Sequence, residues 1–300
     1  MNPLRSELRV VVVTYSPGVA LDLFLDTLAL ASVRHPVVVL ADNGSTDGAV
    51  ERAAQRPGVQ VLRTGGNLGY GGAANLGAAG DEPWLLVANP DIQWAPESID
   101  TLLAAAERWP EAGAYGPAIL TPGGALYPSA RAFPSVARGI GHALFGWWWP
   151  TNPWTRAYRG ESGPPREGPT GWLSGSCLLL RRPAFEAVGG FDPAYFMYFE
   201  DLDLCRRLAR AGWPSVYVPD AVVTHTGGHA TSRKRRTMQL AHHRSAYRYL
   251  AADHPGLRGL PLRLLLGLGL AGRYLLSLVV PRMAEGARPT RDGDVLEGRH

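Results

Sequence analysis

The first 120 residues alternate short runs of β-branched and aliphatic residues with segments of helical periodicity. Four runs are typical of buried strands, at residues 10–13, 37–40, 59–62 and 84–88. Four segments have the apolar spacing of helices, at residues 21–32, 49–55, 72–79 and 97–108. This alternation predicts an α/β layer with a parallel sheet, in which ligands bind at the carboxyl ends of the strands.

Composition limits the class of protein and its setting. The chain has 300 residues, enough for one large domain or two modest ones, and 46% of them are hydrophobic, which fits a globular protein with a substantial core. Its two cysteines, Cys177 and Cys205, argue against a disulfide framework and lack zinc-site spacing, so a reducing, cytosolic setting is expected. Residues 1–9 are short and polar and lead directly into the first strand, without the pattern of a signal peptide.

Positive charge is concentrated in the C-terminal third. Between Arg206 and Arg282 there are 13 Lys or Arg against two acids, although the net charge of the whole chain is only +4. This asymmetry predicts an anionic partner, and the Leu-rich stretch 257–280 favours a membrane surface over nucleic acid. Its uncharged runs are shorter than the roughly 20 residues that span a bilayer, so a basic amphipathic helix or helix pair lying in the interface is predicted. An ordinary amphipathic helix packed on the protein body is the alternative.

A second part of the chain begins near Ala114 and contains an insert. Residues 121–170 are rich in Pro, Gly and Trp, and no regular strand or helix is predicted there. Insertions of this length are often lids or binding loops. Four tryptophans fall within residues 147–154, which indicates contact with an apolar acceptor or lipid, and a plain surface loop is the alternative.

Two motifs follow predicted strands in the first half. Asp42, at the end of the second strand, can accept a hydrogen bond from the imide N–H of a uracil or thymine ring, and residues 43–47 are typical of a turn that caps the next helix. In the glycine-rich run 65–77, glycines let the backbone approach a ligand, and the next helix start can donate N–H groups to a pyrophosphate or ribose. The run lacks both the dinucleotide fingerprint and the Gly-Lys-Ser/Thr of a phosphate loop.

Carboxylates mark two further positions. The fourth strand ends in Asn89-Pro-Asp91, and a carboxylate at a strand end beside a diphosphate suits Mg²⁺ or Mn²⁺, although the same triplet is common in turns. An aromatic run then precedes Glu200, Asp201 and Asp203 at the start of a predicted helix. These acids can cap the helix and interact with its dipole, and the site can also hold a general base.

In this order, the motifs resemble the inverting family 2 glycosyltransferases, and the resemblance covers about residues 10–229. It implies the GT-A fold, an α/β architecture with a Rossmann-like mixed sheet flanked by helices. In that family the Asp of the second strand reads the pyrimidine, an Asp-x-Asp motif binds metal and diphosphate, and the Asp of a Glu-Asp or Asp-Asp pair is the catalytic base. Position by position, it implies Asp42 for the base contact, Asp91 and His225 for the metal, and Asp201 for catalysis.

The resemblance also implies the remaining site residues. Asn89 departs from the family pattern because it replaces the first acid of Asp-x-Asp, and His229 is an alternative to His225 as the extra ligand. Trp172 can stack on a pyranose face, with a core position on a buried strand as the alternative. The implied donor-binding residues are Thr14, Tyr15, Asp42, Asn67, Gly69, Asn89, Asp91 and Trp172. The implied acceptor-binding residues are Gly175 and Glu200, while Asp203 supports the first turn of the helix.

Within the family, residues 13–17, 41–47, 67–71 and 195–201 look like those of bacterial rhamnosyltransferases that act on polyprenyl-diphosphate-linked N-acetylglucosamine. This likeness implies dTDP-L-rhamnose as donor, a decaprenyl-linked GlcNAc of the arabinogalactan linkage unit as acceptor, and Mg²⁺ or Mn²⁺ as cofactor. The predicted organisation is a GT-A domain over residues 1–230, followed by a basic, Leu-rich helical region and tail over 231–300. The nucleotide-binding half covers about 1–113 and the acceptor-binding half about 114–230.

The expected location is the cytoplasmic face of the cell membrane, with peripheral attachment. The expected partners are the nucleotide-sugar donor, the lipid-linked acceptor and an anionic membrane surface; nucleic acid is not expected, and a homo-oligomer is left open. Another family 2 enzyme, transferring galactofuranose or a hexose, would share every motif. An inactive membrane-bound scaffold that binds a nucleotide sugar is a remote alternative. A sugar-nucleotide pyrophosphorylase is disfavoured because no glycine-rich loop with Arg or Lys follows Val13.

Overall fold

A central sheet is covered by helices on both faces. The computed structural model describes residues 6–134, 165–227 and 235–279. The strands are β1 Leu8–Thr14, β2 Val37–Asp42, β3 Val59–Arg63, β4 Trp84–Ala88, β5 Ile92–Trp94, β6 Ala114–Leu120, β7 Leu126–Tyr127, β8 Ala130–Arg131, β9 Gly168–Thr170, β10 Trp172–Leu173, β11 Cys177–Arg181 and β12 Ser215–His225. The helices are α1 Ala20–Ala31, α2 Ala49–Ala53, α3 Gly69–Gly77, α4 Ser98–Arg108, α5 Arg182–Ala187, α6 Glu200–Arg210, α7 Arg235–Ala251 and α8 Leu260–Val279.

The main sheet is mixed, and its strand order creates one binding edge. The order is β3-β2-β1-β4-β11-β6-β12-β5, with β8 and β10 forming a separate pair. Strands β1 to β4 are parallel, β11 runs antiparallel to β4 and β6, and β12 is parallel to β6. Because β2 lies on one side of β1 and β4 on the other, the strand order reverses at β1. In open α/β sheets, ligands bind outside the carboxyl ends of the strands at such a reversal.

The aliphatic runs explain why the central strands are covered on both sides. In β1, Val10 and Val12 belong to a core shared with α1 and α4, while Val11 and Val13 belong to a core shared with α3, α5 and α6. Successive side chains of a strand point to opposite faces, so an uninterrupted aliphatic run requires cover on each face. Burying each of these side chains contributes about 1.5–3 kcal/mol relative to exposing it. The runs therefore place β1 at the centre of the sheet.

All eight elements predicted in the first 120 residues are present, with ends shifted by at most three residues. The four strands predicted as a parallel layer, β1 to β4, are parallel, and the whole sheet is mixed, as the GT-A resemblance implies, because β5 and β11 enter it antiparallel. The expectation that residues 121–170 contain no regular structure was wrong in part. β7, β8 and β9 are strands of two or three residues, too short to show a sequence period. The tryptophan-rich run 147–154 lies outside the described residues.

The Leu-rich stretch 257–280, predicted as a helix or helix pair, contains one long helix, α8, which packs on α7. The rings of His243 and Tyr274 pack 5.7 Å apart between them, and Gly267 of α8 lies against the ring of Tyr247. Helix α8 exposes a row of leucines, namely Leu260, Leu264, Leu265, Leu268 and Leu275. None of the helices in the described ranges combines the length and apolarity needed to cross a bilayer. The division of the chain at residue 230 stays a prediction.

Candidate active site

A cavity of about 730 Å³ opens at the carboxyl ends of β1, β2 and β4, where the strand order reverses. Most of the predicted site residues meet there. Those that line the cavity are Tyr15, Asn67, Gly69, Asn89, Asp91, Trp172, Gly175, Glu200, Asp201 and His225. Thr14 and Asp42, the other two, are buried beneath its surface. His229, the alternative metal ligand, lies outside the described residues.

Asp42 anchors the loops that follow β1 and β2. Its Oδ1 accepts hydrogen bonds from Thr14 Oγ1 and from the backbone N–H of Ser45, both at 3.0 Å, and its Oδ2 pairs with Arg63. Burial acts to raise the pKa of this carboxyl, but the hydrogen bonds from Ser45, Arg63 and Thr14 hold the pKa below its usual value. Asp42 is therefore ionised, and its hydrogen bonds join the loops that follow β1 and β2.

Asn43 lines the cavity beside Asp42, although the sequence indicated only a turn residue at this position. Its Nδ2 donates to the carbonyl of Gly69 at 3.0 Å, and its Oδ1 accepts the backbone N–H of Leu68 at 3.2 Å. These bonds tie the loop after β2 to the start of α3. Asx side chains commonly satisfy backbone groups in this way at turns, which is why the pattern did not distinguish a site residue from a structural one.

Gly69 marks a close approach between the glycine-rich run and the aromatic run. Its φ is +76°, and a Cβ built on it would lie 2.1 Å from the carbonyl oxygen of Phe196. The next residue, Tyr70, donates its backbone N–H to that same carbonyl at 3.2 Å, and Asn67 Oδ1 accepts the N–H of Gly69 at 3.0 Å. The sequence predicted that glycines here admit a ligand. At Gly69 the close neighbour is the protein's own backbone, which the missing side chain allows.

Asn89, Asp91 and His225 converge between the ends of β4 and β12. His225 Nε2 lies 3.0 Å from Asp91 Oδ1 and 3.2 Å from Asn89 Nδ2. Two ligands bound at right angles to one Mg²⁺, each about 2.1 Å from it, are about 3.0 Å apart, so this spacing fits a shared cation. Turning the Asn89 amide over presents its oxygen instead of its nitrogen. The three possible ligands are then a carboxylate, an imidazole and an amide. Because the third ligand is an amide, this set differs from a cluster of three or more His, Cys, Asp or Glu side chains, and no such cluster suited to a metal occurs in the described ranges.

Asp201 lines the cavity at the start of α6. Its Oδ2 accepts the backbone N–H of Gly175 at 2.8 Å, and its Oδ1 accepts the N–H of Leu202 at 2.8 Å. A Cβ on Gly175 would lie 3.0 Å from the Cβ of Asp201, so a small residue is needed there. Asp201 therefore supports the first turn of its helix while its carboxylate faces the cavity.

Trp172 is half-buried on β10, and its side chain lines the cavity and also packs against the core.

A strained turn places the Glu200-Asp201 pair. Tyr198 and Phe199 both adopt left-handed backbone conformations, with φ of 67° and 69°. Such conformations cost about 1–3 kcal/mol each and persist where packing imposes them. Helix α7 supplies that packing: His242 contacts both rings at 5.4 Å, and Ser245 Oγ donates to the carbonyl of Met197 at 3.0 Å.

Burial alters the proton affinity of both acids. Burial, with a contribution from the charge of Asp201, raises the pKa of Glu200 to about 8. Burial also raises the pKa of Asp201, against the hydrogen bonds from Gly175 and Leu202. Glu200 Oε2 has no hydrogen-bond partner among the described residues. A pKa of about 8 keeps Glu200 mostly protonated near neutral pH, and the two backbone donors favour the ionised form of Asp201.

Asp203 has a structural role. Its carboxylate pairs with Arg207 at 2.7 Å and with Arg206 at 3.6 Å, one turn further along α6. Arg206 in turn lies 3.9 Å from the ring centroid of Tyr249, on α7. This network joins α6 to α7, the helix that packs on the strained turn.

Comparison with known sequences identifies the family. The model of glycosyl transferase family 2 matches residues 9–189, more than half of the chain, and a related model, glycosyltransferase like family 2, matches residues 163–245. The chain belongs to glycosyltransferase family 2. The family predicted from the motifs is thereby confirmed, and the protein is a glycosyltransferase.

Individual relatives agree with this assignment. The chain is 53% identical over 306 residues to the N-acetylglucosaminyl-diphospho-decaprenol L-rhamnosyltransferase of Mycobacterium tuberculosis, covering 98% of this chain and 99% of the relative. It is 42% identical over 80 residues to a rhamnosyltransferase of Escherichia coli K12, covering 27% of this chain and 30% of that one. The fold resembles that of a mannosyltransferase from Pyrobaculum calidifontis, with a TM-score of 0.56 at 19% identity over 96% of this chain and 78% of the other. The predicted GT-A fold is confirmed.

Besides Asn43, the cavity is lined by Tyr70, His242 and Arg131, which were not predicted as site residues. Tyr70 donates its hydroxyl to the carbonyl of Gly175 at 2.5 Å, and burial raises the pKa of its phenol well above the usual range. His242 comes from α7, and burial lowers the pKa of its imidazole. Arg131 comes from β8. Tyr70 lies in the glycine-rich run after β3, whereas Arg131 and His242 follow no strand end of the first half, so only the assembled fold brings these two to the cavity.

Proposed function

We propose that this chain transfers L-rhamnose from dTDP-L-rhamnose to polyprenyl-diphosphate-linked N-acetylglucosamine, with inversion at the anomeric carbon. The observation that carries the proposal is that one cavity is lined by Asp201 and by Asn89, Asp91 and His225. A single displacement requires a base and a site for the leaving diphosphate around one shared space. The name of the mycobacterial relative, which matches nearly the whole chain, supports this donor sugar and acceptor.

Asp201 is the proposed base. Its carboxylate takes the proton from an acceptor hydroxyl, O3 of GlcNAc in our proposal, as that oxygen attacks the anomeric carbon of rhamnose from the face opposite the diphosphate. General bases in such positions contribute about 10²–10⁴-fold to the rate. The backbone donors of Gly175 and Leu202 hold the carboxylate in one orientation toward the cavity. Glu200, protonated near neutral pH, donates a hydrogen bond to the acceptor sugar and avoids a second negative charge beside the base.

A second group of cavity residues is proposed to hold the leaving group. We propose that Asp91, His225 and, once its amide is turned over, the oxygen of Asn89 bind Mg²⁺ or Mn²⁺; the 3.0 Å between His225 Nε2 and Asp91 Oδ1 suits two ligands of one cation. The bound cation would neutralise charge on the departing diphosphate. Tyr15 and Asn43 border the space for the nucleoside, and Asn67 and Gly69 line it at the start of α3. Asp42 can accept the thymine imide N–H when the half-exposed Arg63 moves from its Oδ2.

The C-terminal helices fit an enzyme with a lipid-linked substrate. Helix α7 contributes Met238 and His242 to the cavity, and α8 packs on α7 with its leucines exposed. Arg263 and Arg273 lie on the same helix as those leucines. We propose that α8 lies in the headgroup region of the cytoplasmic leaflet, since an apolar row with basic residues suits an anionic interface. The acceptor's lipid would then leave the cavity near the bilayer. The oligomeric state stays a prediction.

A panel of donors tests the proposed function. The purified chain is incubated with GlcNAc-diphosphate attached to a short polyprenol, Mg²⁺ and, in separate reactions, dTDP-L-rhamnose, UDP-galactofuranose, UDP-glucose and GDP-mannose. We expect transfer from dTDP-L-rhamnose at a rate at least about 100-fold above the others, because each contact worth about 1.4 kcal/mol changes the rate tenfold. Preference for galactofuranose or a hexose would replace the rhamnose assignment. Binding of donors without transfer or hydrolysis would favour a non-catalytic scaffold.

Flotation with lipid vesicles tests the membrane proposal. We expect the chain to bind vesicles that contain anionic lipid and to bind neutral vesicles weakly, because about 1 kcal/mol of attraction is gained per basic residue near an anionic surface. Leu264→Glu with Leu268→Glu, on the exposed row, should abolish binding. Leu23→Glu, at an exposed leucine of α1, is the matched control and should leave it unchanged. Equal flotation of all three proteins would exclude α8 as the contact surface.

A further inference from the structure

The charge distribution in the cavity leaves one substrate group without an assigned partner. The inference below rests on the proposed function, in which donor and acceptor each carry a diphosphate. The proposed function assigns the donor diphosphate to Asp91, His225 and Asn89, at the ends of β4 and β12. Among the described residues that line the cavity, the acids are Asp91, Glu200 and Asp201, and Arg131 is the one Lys or Arg. A second anionic substrate that enters beside the carboxylate of Asp201 needs a cation nearby.

Arg131 is held with its guanidinium in the acceptor half. It lies opposite Trp172 in the β8–β10 pair, and its Nε donates to the carbonyl of Pro128 at 2.7 Å. Its guanidinium carbon lies 5.5 Å from the ring centroid of Tyr127 and 5.6 Å from that of Trp172. An arginine held by a backbone bond and two aromatic rings loses little conformational freedom when it binds an anion.

The ion pairs of other arginines show what distinguishes Arg131. Arg63, at the donor edge, pairs with Asp42 and Glu51, and Arg207 pairs with Asp203. Within the part of the chain that the structure describes, no carboxylate forms an ion pair with Arg131. Among the residues that the structure describes, Nη1 and Nη2 of Arg131 have no hydrogen-bond partner, and a guanidinium edge matches two phosphate oxygens.

The position of Arg131 points to the acceptor rather than the donor. Trp172, its partner across the β8–β10 pair, is three residues before Gly175, which binds the carboxylate of Asp201. Burial raises the pKa of Asp201, and the charge of Arg131 acts in the opposite direction, so the two groups are electrostatically coupled. The donor diphosphate set lies instead at the ends of β4 and β12.

We propose that Arg131 binds the diphosphate of the lipid-linked acceptor and makes the enzyme selective for acceptors that carry one. Its guanidinium would take two phosphate oxygens while the GlcNAc ring reaches Asp201. Neutral GlcNAc glycosides enter beside the same acidic residues but make no phosphate contact with Arg131. They therefore bind less tightly than the diphosphate-linked acceptor.

Steady-state kinetics with two acceptors test this role. One acceptor is GlcNAc-diphosphate on a short polyprenol, and the other is a neutral alkyl GlcNAc glycoside of matched chain length. For Arg131→Gln we expect KM for the diphosphate acceptor to rise about 10–100-fold, the loss of one charge-assisted bidentate contact. KM for the neutral glycoside should change less than about twofold. Arg131→Lys, which keeps the charge without the fork, should fall between the two enzymes.

Two controls separate the sources of the diphosphate and the effects of folding. Calorimetric titration with dTDP and Mg²⁺ should give the same affinity for wild type and Arg131→Gln. Arg52→Gln, at an exposed arginine of α2 that pairs with Asp22, is the matched control and should leave both KM values unchanged. If Arg131→Gln does not fold, as judged by its melting temperature, Arg131→Lys carries the comparison.

Three results would overturn the inference. Weaker dTDP binding with an unchanged acceptor KM would assign Arg131 to the donor. An equal loss of kcat with both acceptors would indicate an effect on the base alone. An unchanged preference for the diphosphate acceptor would leave Arg131 without this role. By contrast, absence of transfer by the wild-type enzyme to any GlcNAc-diphosphate would refute the proposed function itself.

Discussion

We propose a donor side and an acceptor side of the cavity, and these two sides are built in different ways. On the donor side, Tyr15, Asn43 and Asn89 follow the ends of three adjacent parallel strands, and the bonds of Asp42 hold the first two loops together. On the acceptor side, Arg131 and Asp201 come from segments far apart in the chain. Regular strand ends place the donor residues, whereas packing between distant segments places the acceptor residues.

The two sides also differ in backbone strain and in the pKa of their carboxyl groups. Asp201 follows two residues in left-handed conformations, Tyr198 and Phe199, which α7 holds in place. In contrast, the hydrogen-bonded carboxylate of Asp42 sits at the end of a regular strand and has a lowered pKa. Substitutions on the donor side should therefore change mainly the affinity for nucleotide and metal. Substitutions on the acceptor side should change mainly the rate.

The largest expected effect is on the acceptor side. Asp201→Asn should lower kcat by about 10³-fold or more, because it removes the base while keeping the shape of the side chain. The affinity for dTDP, measured by calorimetry, should stay within about twofold of wild type. Comparable turnover by Asp201→Asn would exclude it as the base, and a large loss of dTDP affinity would show that the two sides are not separable.

Asp91→Ala should have the next largest effect, on the donor side. We expect the affinity for dTDP in the presence of Mn²⁺ to fall about 10–100-fold, because a metal ligand is lost. Without metal, the variant and wild type should bind dTDP alike. Asn89→Asp adds a carboxylate beside Asp91 and His225, so this variant should bind Mn²⁺ more tightly than wild type. Equally tight dTDP binding by wild type with and without Mg²⁺ or Mn²⁺ would contradict the metal role of Asp91.

Gly69→Ala should disturb the contact between the two sides. The added Cβ would overlap the carbonyl of Phe196, and the φ of +76° disfavours any side chain. We expect a melting temperature lower by several degrees, on the order of 1–3 kcal/mol of unfolding free energy, and about a tenfold loss of kcat. Gly66→Ala is the matched control, since nothing lies within 4 Å of its Cβ. Equal melting temperatures for the two variants would show that the contact tolerates a side chain.

Glu200→Gln should have the smallest effect at neutral pH, because glutamine imitates the protonated acid. We expect kcat within about threefold of wild type near pH 7. Above about pH 8, wild type should lose activity as Glu200 ionises beside Asp201, whereas the variant should not. Folded Glu200 binds its proton more tightly than in the unfolded chain, so wild-type stability falls as pH rises from about 4.5 toward 8.

Melting curves across that pH range check the stability half of the prediction. The melting temperature of Glu200→Gln should exceed that of wild type by a margin that grows from about pH 5 to about pH 9. Glu186→Gln, at an exposed glutamate of α5, should show a constant difference. A margin that does not change with pH would show that Glu200 is ionised throughout.

Sequence reasoning predicted the strands beneath the donor side, and it predicted the acceptor side only in outline; the roles of the residues on both sides stay predictions. The aliphatic runs predicted β1 to β4, and Asn89 and Asp91 follow a strand end, so their position could be located from the sequence. The positions of Arg131 and His242 at the cavity could not be predicted in this way, because β8 is too short to show a period and α7 reaches the cavity through its packing on other elements. Gly69 was predicted to bind the donor, a role that stays a prediction, and its close neighbour is Phe196.

The anomeric configuration of the product tests the central claim, that Asp201 acts as base in a single displacement. Wild-type enzyme is incubated with dTDP-β-L-rhamnose and GlcNAc-diphosphate on a short polyprenol, and the new linkage is read from the one-bond carbon–proton coupling at the rhamnose anomeric carbon. We predict an α-linked rhamnose. A β-linked product would require two displacements and would contradict the assignment of Asp201 as a base acting on the acceptor.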